Sequence, residues 1–313
     1  MTATAGIAGP IGARWRTLPP NARGAVLVLL SGIGFTSVNM LVKVIGGELH
    51  AFQIAFFRVF FGFLVIIPFA LHQGLPALRT RHRFGHVLRA VFGMGAMYCT
   101  FYAAIHLPLA DVTAYGFTKA FFVVVFAHFV LGERIYRSRT IPICLGFVGA
   151  LILLRPGFGI EPAAVVALLA AVFMALVVVM IAKLGRSEPY WTVMFWFGVL
   201  STCIAIGPAL AVWQPLSWTQ LGMLAAIGVL GVTAQTLMLR GFTIGDTTAM
   251  VNFEYVQLLY AVLYGVFLFS NYPDVWTITG SLVIVASASY VARHGHKPGG
   301  RGAAEQARDT DRN

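Results

Sequence analysis

Apolar residues in this chain come in long runs, not in the one-faced or alternating patterns of a fold that meets water. A hydrocarbon core of ~30 Å takes about 20 residues of helix at 1.5 Å each. Runs of that kind lie at 25–45, 51–71, 87–105, 112–132, 140–154, 163–182, 191–212, 220–239, 247–269 and 275–292. The fifth is short, and Arg139 and Arg155 bracket it, with stems long enough to snorkel outward. The pattern predicts an all-α integral membrane protein with ten transmembrane helices.

The second five runs repeat the first five. Lys43, Glu48 and Pro68 fall over Lys183, Glu188 and Pro208, and Asp111-Val112-Thr113-Ala114 over Asp246-Thr247-Thr248-Ala249. Carried forward, the second register sets Lys119 against Glu254. Because five is odd, the second copy must enter the bilayer upside down, which is the inverted-repeat plan of many secondary transporters, with a central cavity between the copies. The expected organisation is an N-terminal segment (1–23), a first repeat (24–155), a second repeat (163–292) and a disordered basic tail (293–313).

Composition agrees: 58% of the 313 residues are hydrophobic and 11% charged, against about 25% charged in soluble domains. The formal charge of +11 raises nucleic acid as a partner, but the placement of the charges decides otherwise. Of the 22 Lys and Arg, all but Lys43, Arg58, Lys119 and Arg155 fall in or beside the termini and alternate loops of one face. They include Arg14, Arg16, Arg23, Arg79, Arg81, Arg83 and Arg89, and the arginines of the tail. By the positive-inside rule this face and both termini are cytoplasmic; the expected partner is the lipid bilayer, and no nucleic acid. Residues 1–23 hold no separate apolar core, so no cleaved signal peptide is expected. Cys99, Cys144 and Cys203 are scattered through helices without metal-ligand spacing, and the eight histidines show no HExxH. No Gly-rich loop ending in Gly-Lys-Ser/Thr is present. No metal, cofactor, ATP-driven step or enzymatic centre is expected, and no repeated pore loop suggests a channel.

Phe101-Tyr102-Ala103-Ala104, His106-Leu107-Pro108-Leu109-Ala110-Asp111, Leu131-Gly132-Glu133-Arg134, Gly146-Phe147-Val148-Gly149 and Leu154-Arg155-Pro156-Gly157 follow one another in the first half; Phe253-Glu254-Tyr255 and Pro273-Asp274 stand in the second. In this order and spacing the chain resembles EamA-type members of the drug/metabolite transporter superfamily. The segment Glu48-Leu49-His50-Ala51-Phe52 through Phe56-Phe57-Arg58 is similar to the subset that contains bacterial S-adenosylmethionine carriers. The superfamily also includes riboflavin carriers. The resemblance implies a multi-pass protein of the bacterial inner membrane, moving a small organic metabolite by alternating access, with an S-adenosylmethionine-like or other nucleoside or heterocyclic solute first, riboflavin uptake or export of an amino-acid-like metabolite as alternatives, and a homodimer left open. It departs from many relatives at Thr118-Lys119-Ala120, where they carry a proline-containing apolar stretch, and at Phe269-Ser270-Asn271, where the Leu-Gly-Glu ending of the first repeat is not reproduced.

A charge near the bilayer centre costs at least ~2.5–3.5 kcal/mol on insertion scales, so it faces the bundle interior and marks function. Lys119 and Glu254 are each about 12 Å deep, from opposite faces, which leaves about 6 Å between their levels. An ion pair across the midplane is open to them. Helical spacing puts Gln257, Tyr260 and Tyr264 on the face of Glu254, and Tyr115, Thr118 and Phe122 on that of Lys119. The expected substrate-binding residues are Lys119, Glu254, Tyr115, Gln257, Tyr260, Asn39 and Arg58; the competing reading is a salt bridge that only joins the repeats. Arg58 matches an arginine common in the family and could equally pack against helix-end carbonyls or an interior acid. Asn39 and Gln235 are candidates either to line the cavity or to make interhelical hydrogen bonds, and Tyr98 and Tyr102, one turn apart, fit a stacking wall as well as ordinary packing. His128 points away from Lys119. Asp111 and Asp246 are expected as N-caps, and Gly146 and Gly149 as points of close helix approach.

Overall fold

In lipid a backbone polar group has no water to bond, so each apolar run closes its hydrogen bonds on itself as helix. The computed structural model describes Trp15, residues 17–72, Gly74, 78–131, 137–154, 161–185, 187–245, Met250 and 253–294. Its helices are α1 (Pro20–Ile45), α2 (Ala51–His72), α3 (Arg83–His106), α4 (Leu109–Phe117), α5 (Lys119–Leu131), α6 (Arg137–Leu154), α7 (Pro162–Gly185), α8 (Tyr190–Ala211), α9 (Trp218–Ile244), α10 (Val256–Phe269) and α11 (Val275–His294). Each of the ten expected runs holds helix. Among the described residues, seven spans are long and apolar enough to cross a membrane: α1, α2, α3, the α4–α5 pair, α7, α8 and α9. Leu145–Leu154 of α6, α10 and Val275–Ser287 of α11 are apolar but shorter. Asp246, Arg155, the Gly132-Glu133-Arg134 motif and residues beyond His294 lie outside the described residues.

Two expectations change locally. The fourth run is two helices, broken at Thr118. Asp111 is not an N-cap: the cap of α4 is Pro108, at φ −57°. A fixed proline φ suits a helix start, so the helix begins upstream and leaves Asp111 in its first turn, where the helix dipole favours an acid. There its Oδ1 accepts a 2.6 Å hydrogen bond from Thr277 Oγ1 of α11.

Helix pairing crosses between the halves. α1 packs on α9, α7 on α3, α2 on α8, and α6 on α11. Exchanging each helix for its repeat equivalent turns α1–α9 into α7–α3 and returns the other two pairs to themselves. The equivalent helices α2 and α8 run antiparallel: Phe63 meets Phe195 at 5.6 Å between ring centroids, while the later Phe69 stacks on the earlier Trp191 at 5.8 Å. α6 and α11 do the same, Gly149 lying against Ile284 and Leu153 against Gly280. Antiparallel equivalents are what inversion of the second copy requires. Glycine makes the α6–α11 approach possible, since a Cβ on Gly280 would stand 2.9 Å from the Gly149 carbonyl oxygen. Gly146 in turn leaves room for the ring of Phe121.

Loops clasp the bundle at both ends. Before α2, Glu48 accepts from Gln220 Nε2 at 2.6 Å, and in the first turn of α2 Gln53 exchanges hydrogen bonds with the backbone of Gln214 at 2.9 and 3.1 Å. Before α8, at the opposite end, Glu188 accepts from Thr80 and lies 2.6 Å from His86 Nε2, while Trp196 Nε1 donates to the Leu78 carbonyl at 2.9 Å. Glu48 and Glu188 are repeat equivalents, so one position supplies both clasps. Lys43 Nζ donates to the carbonyl of Leu107 at 2.7 Å, closing the C-terminal end of α3.

Candidate functional site

Both halves lose helical regularity at the charged residue. Before Lys119, the Thr118 hydroxyl donates to the Tyr115 carbonyl at 2.6 Å, and the Thr118 and Phe121 amides bond three residues back instead of four. That tighter geometry marks a break between α4 and α5. After Glu254, Tyr255 is a turn and α10 starts at Val256. The breaks place Lys119 Nζ 2.6 Å from Glu254 Oε1, with 28% and 17% of the two side chains exposed. Phe117 and Tyr255 meet edge to face beside the pair, 4.9 Å apart.

The pair lies in the wall of a cavity of about 280 Å³ lined by helices of both halves. Asn39, Arg58, Gln235 and Gln257 share that wall, as do Thr100 and Thr113. Phe35, Phe101, Phe117 and Phe197 supply aromatic surface. Five of the seven residues singled out in the sequence therefore face one space. Tyr115 and Tyr260 do not. Tyr115 is buried in the core, because the break at Thr118 shifts the helical phase; Val112, Thr113, Gly116 and Phe117 line the cavity from α4 instead. On α10 only Gln257 follows Glu254 into the wall: the Tyr260 ring packs on Gly32 of α1, and Tyr264 shares a 3.1 Å hydrogen bond with Ser37. Tyr98 packs edge-on against Phe52, and Tyr102 lies against His106.

Arg89 does not stand among the loop charges. It is 1% exposed and lines the cavity, its guanidinium 4.0 Å from the centroid of the Phe197 ring. The signal for it lay in position: α3 starts at Arg83, so Arg89 is nearly two turns inside the helix.

The pattern that defines the EamA-like transporter family matches the chain twice, over residues 22–155 and 161–293. The chain belongs to the EamA-like transporter family, within the drug/metabolite transporter superfamily. This EamA-like transporter is 28% identical over 269 residues to the S-adenosylmethionine uptake transporter of Rickettsia prowazekii, an alignment covering 86% of this chain and 92% of that protein. It is 32% identical over 286 residues to the pseudopaline exporter of Pseudomonas aeruginosa, covering 86% and 96%. To the riboflavin transporter of Rhizobium johnstonii it is 28% identical over 275 residues, covering 87% and 91%. This EamA-like transporter is a multi-pass membrane protein of a family whose named members carry small molecules.

Proposed function

We propose that the chain is a secondary carrier of the bacterial inner membrane that moves a small organic metabolite by alternating access around the cavity of Lys119 and Glu254. The ion pair at matched helix breaks carries this reading. Discontinuous helices in corresponding places of two repeats are the usual seat of a transporter's midplane site. In this scheme ten helices cross the bilayer as two inverted repeats, residues 24–155 and 163–292, with both termini in the cytoplasm. An ammonium and a carboxylate facing one space complement an amino-acid-like solute, each charge finding its opposite, and Asn39 and Gln257 hydrogen-bond its polar groups. Relatives named for S-adenosylmethionine and for pseudopaline support small-metabolite transport and leave uptake and export both open. The phenylalanine wall favours a second reading, a flat heterocycle such as riboflavin, held by stacking.

Counterflow in proteoliposomes tests the carrier reading. Labelled S-adenosylmethionine, riboflavin, amino acids, organic acids and phosphate esters are offered outside vesicles preloaded with the same unlabelled solute. A carrier accelerates uptake of its own solute under preloading. Uptake that preloading leaves unchanged for every solute offered contradicts the proposal.

A further inference from the structure

We infer that Arg58 is the seat of an oxyanion on the solute, so that the transported metabolite is a net anion, an organic acid or phosphate ester; this rests on the carrier reading above. A guanidinium inside a membrane protein must be compensated, and the described partners of Arg58 do that poorly. Nη1 points at the Met97 thioether, 3.4 Å away, and the Phe101 ring centroid is 5.9 Å from Cζ. Nε is buried with no hydrogen-bond acceptor among the described residues. Among the described residues no carboxylate or helix-end carbonyl reaches Arg58. A thioether and a ring at that distance fall short of the cost of an interior cation, which makes the side chain a functional one.

Its surroundings are arranged for a ligand with several acceptor oxygens. Gly231 on α9 lets the guanidinium lie close, because a Cβ there would stand 3.0 Å from Arg58 Nε. One turn on, Gln235 enters the same cavity wall, its amide engaged only with the Met194 thioether at 3.3 Å among described partners. Thr100, also in the wall, has a buried hydroxyl without a partner among the described residues. Guanidinium, amide and hydroxyl together bind a carboxylate or a phosphate, the guanidinium in two-pronged fashion. The whole cavity leans the same way: among the described residues of its wall, Lys119 is paired with Glu254, and the Arg58 guanidinium adds positive charge that no described carboxylate meets. A cleft with low-dielectric walls and excess positive charge concentrates anions and repels cations. A solute with an amino-acid group and a further acid would engage Lys119–Glu254 at one pole and Arg58 at the other. S-adenosylmethionine, a net cation, is disfavoured.

The test is uptake by proteoliposomes of the purified chain from a bacterial metabolite extract, with the vesicle contents read by mass spectrometry against protein-free vesicles. Accumulation of net-anionic solutes is expected, and their masses separate carboxylates from phosphate esters. Arg58→Gln should lower that accumulation by roughly tenfold or more, and Arg58→Lys should keep part of it. Gly231→Ala, which retains every charge but displaces the guanidinium, should raise the half-saturating concentration while the melting temperature holds; it decides the matter if Arg58→Gln does not fold. Accumulation of cationic or neutral solutes alone, or anion uptake indifferent to Arg58→Gln and Gly231→Ala, overturns the inference and leaves the carrier reading standing. No accumulation above protein-free vesicles overturns both.

Discussion

At the scale of single residues, the Lys119–Glu254 pair separates binding from bracing. Its side chains are 28% and 17% exposed, so losing one partner should cost less than the ~3–5 kcal/mol of a fully buried pair, about 1–3 kcal/mol. Lys119→Met or Glu254→Gln should lower both the melting temperature and transport. The double substitution should regain most of the stability but not transport, since the solute's charges then find no partner. Normal uptake by the double variant would show the pair to be a brace. Glu188 offers a pH test outside the spans. Burial alone would raise its carboxyl, but hydrogen bonds from Thr80 and His86, attraction to His86 and the Arg81 backbone amide outweigh that and hold it below the ordinary 4.5. A depressed folded-state value stabilises above the unfolded one and is lost as pH falls through it. Glu188→Gln should therefore cost about 1–2 kcal/mol above pH 4.5, with the gap to wild type closing below 4.5; a gap independent of pH would contradict the assignment. The two charges were visible in the sequence because nothing else explains them in apolar runs. Arg89 was not, because a charge near a helix start counts equally well as a loop charge until its burial is known.

At the scale of elements, helix ends and crossings show what one residue decides. α10 ends at Ser270, left-handed at φ 53°, with Asn271 N bonding back to the Gly265 carbonyl at 2.9 Å. A left-handed backbone costs a residue with a Cβ about 1–2 kcal/mol. Ser270→Gly should stabilise the protein by ~0.5–1 kcal/mol after the entropy of the freer unfolded glycine is subtracted, read as a higher melting temperature. Gly280→Ala should do the reverse. Its Cβ would press on the Gly149 carbonyl, backbone that cannot swing aside, at a cost of about 1–3 kcal/mol. Unchanged thermal stability in Gly280→Ala would mean that α6 and α11 are less tightly joined than described. The helices themselves were legible as apolar runs. The break at Thr118 was not, because threonine is tolerated within helices, and an ideal 3.6-residue period carried across it aimed Tyr115 at the wrong space.

For the whole molecule, reporter fusions to residues 1–23, to the loop around Arg81 and after Arg293 should all report the cytoplasm. A periplasmic signal from either terminus would refute the proposed ten crossings. The sequence alone determined that the chain lives in lipid and that its halves are copies of each other. These follow from composition and spacing, because the bilayer sets run length and backbone satisfaction enforces helix within each run. Matching charges in the two copies also singled out Lys119 and Glu254. Only the tertiary structure decided that Lys119 touches Glu254, that Arg58 and Arg89 join them around one cavity, and that Tyr115 and Tyr260 turn away. Those outcomes depend on how helices far apart in sequence cross and rotate against each other, and that is set by glycine contacts, breaks and loop clasps between halves, which no local window of sequence contains.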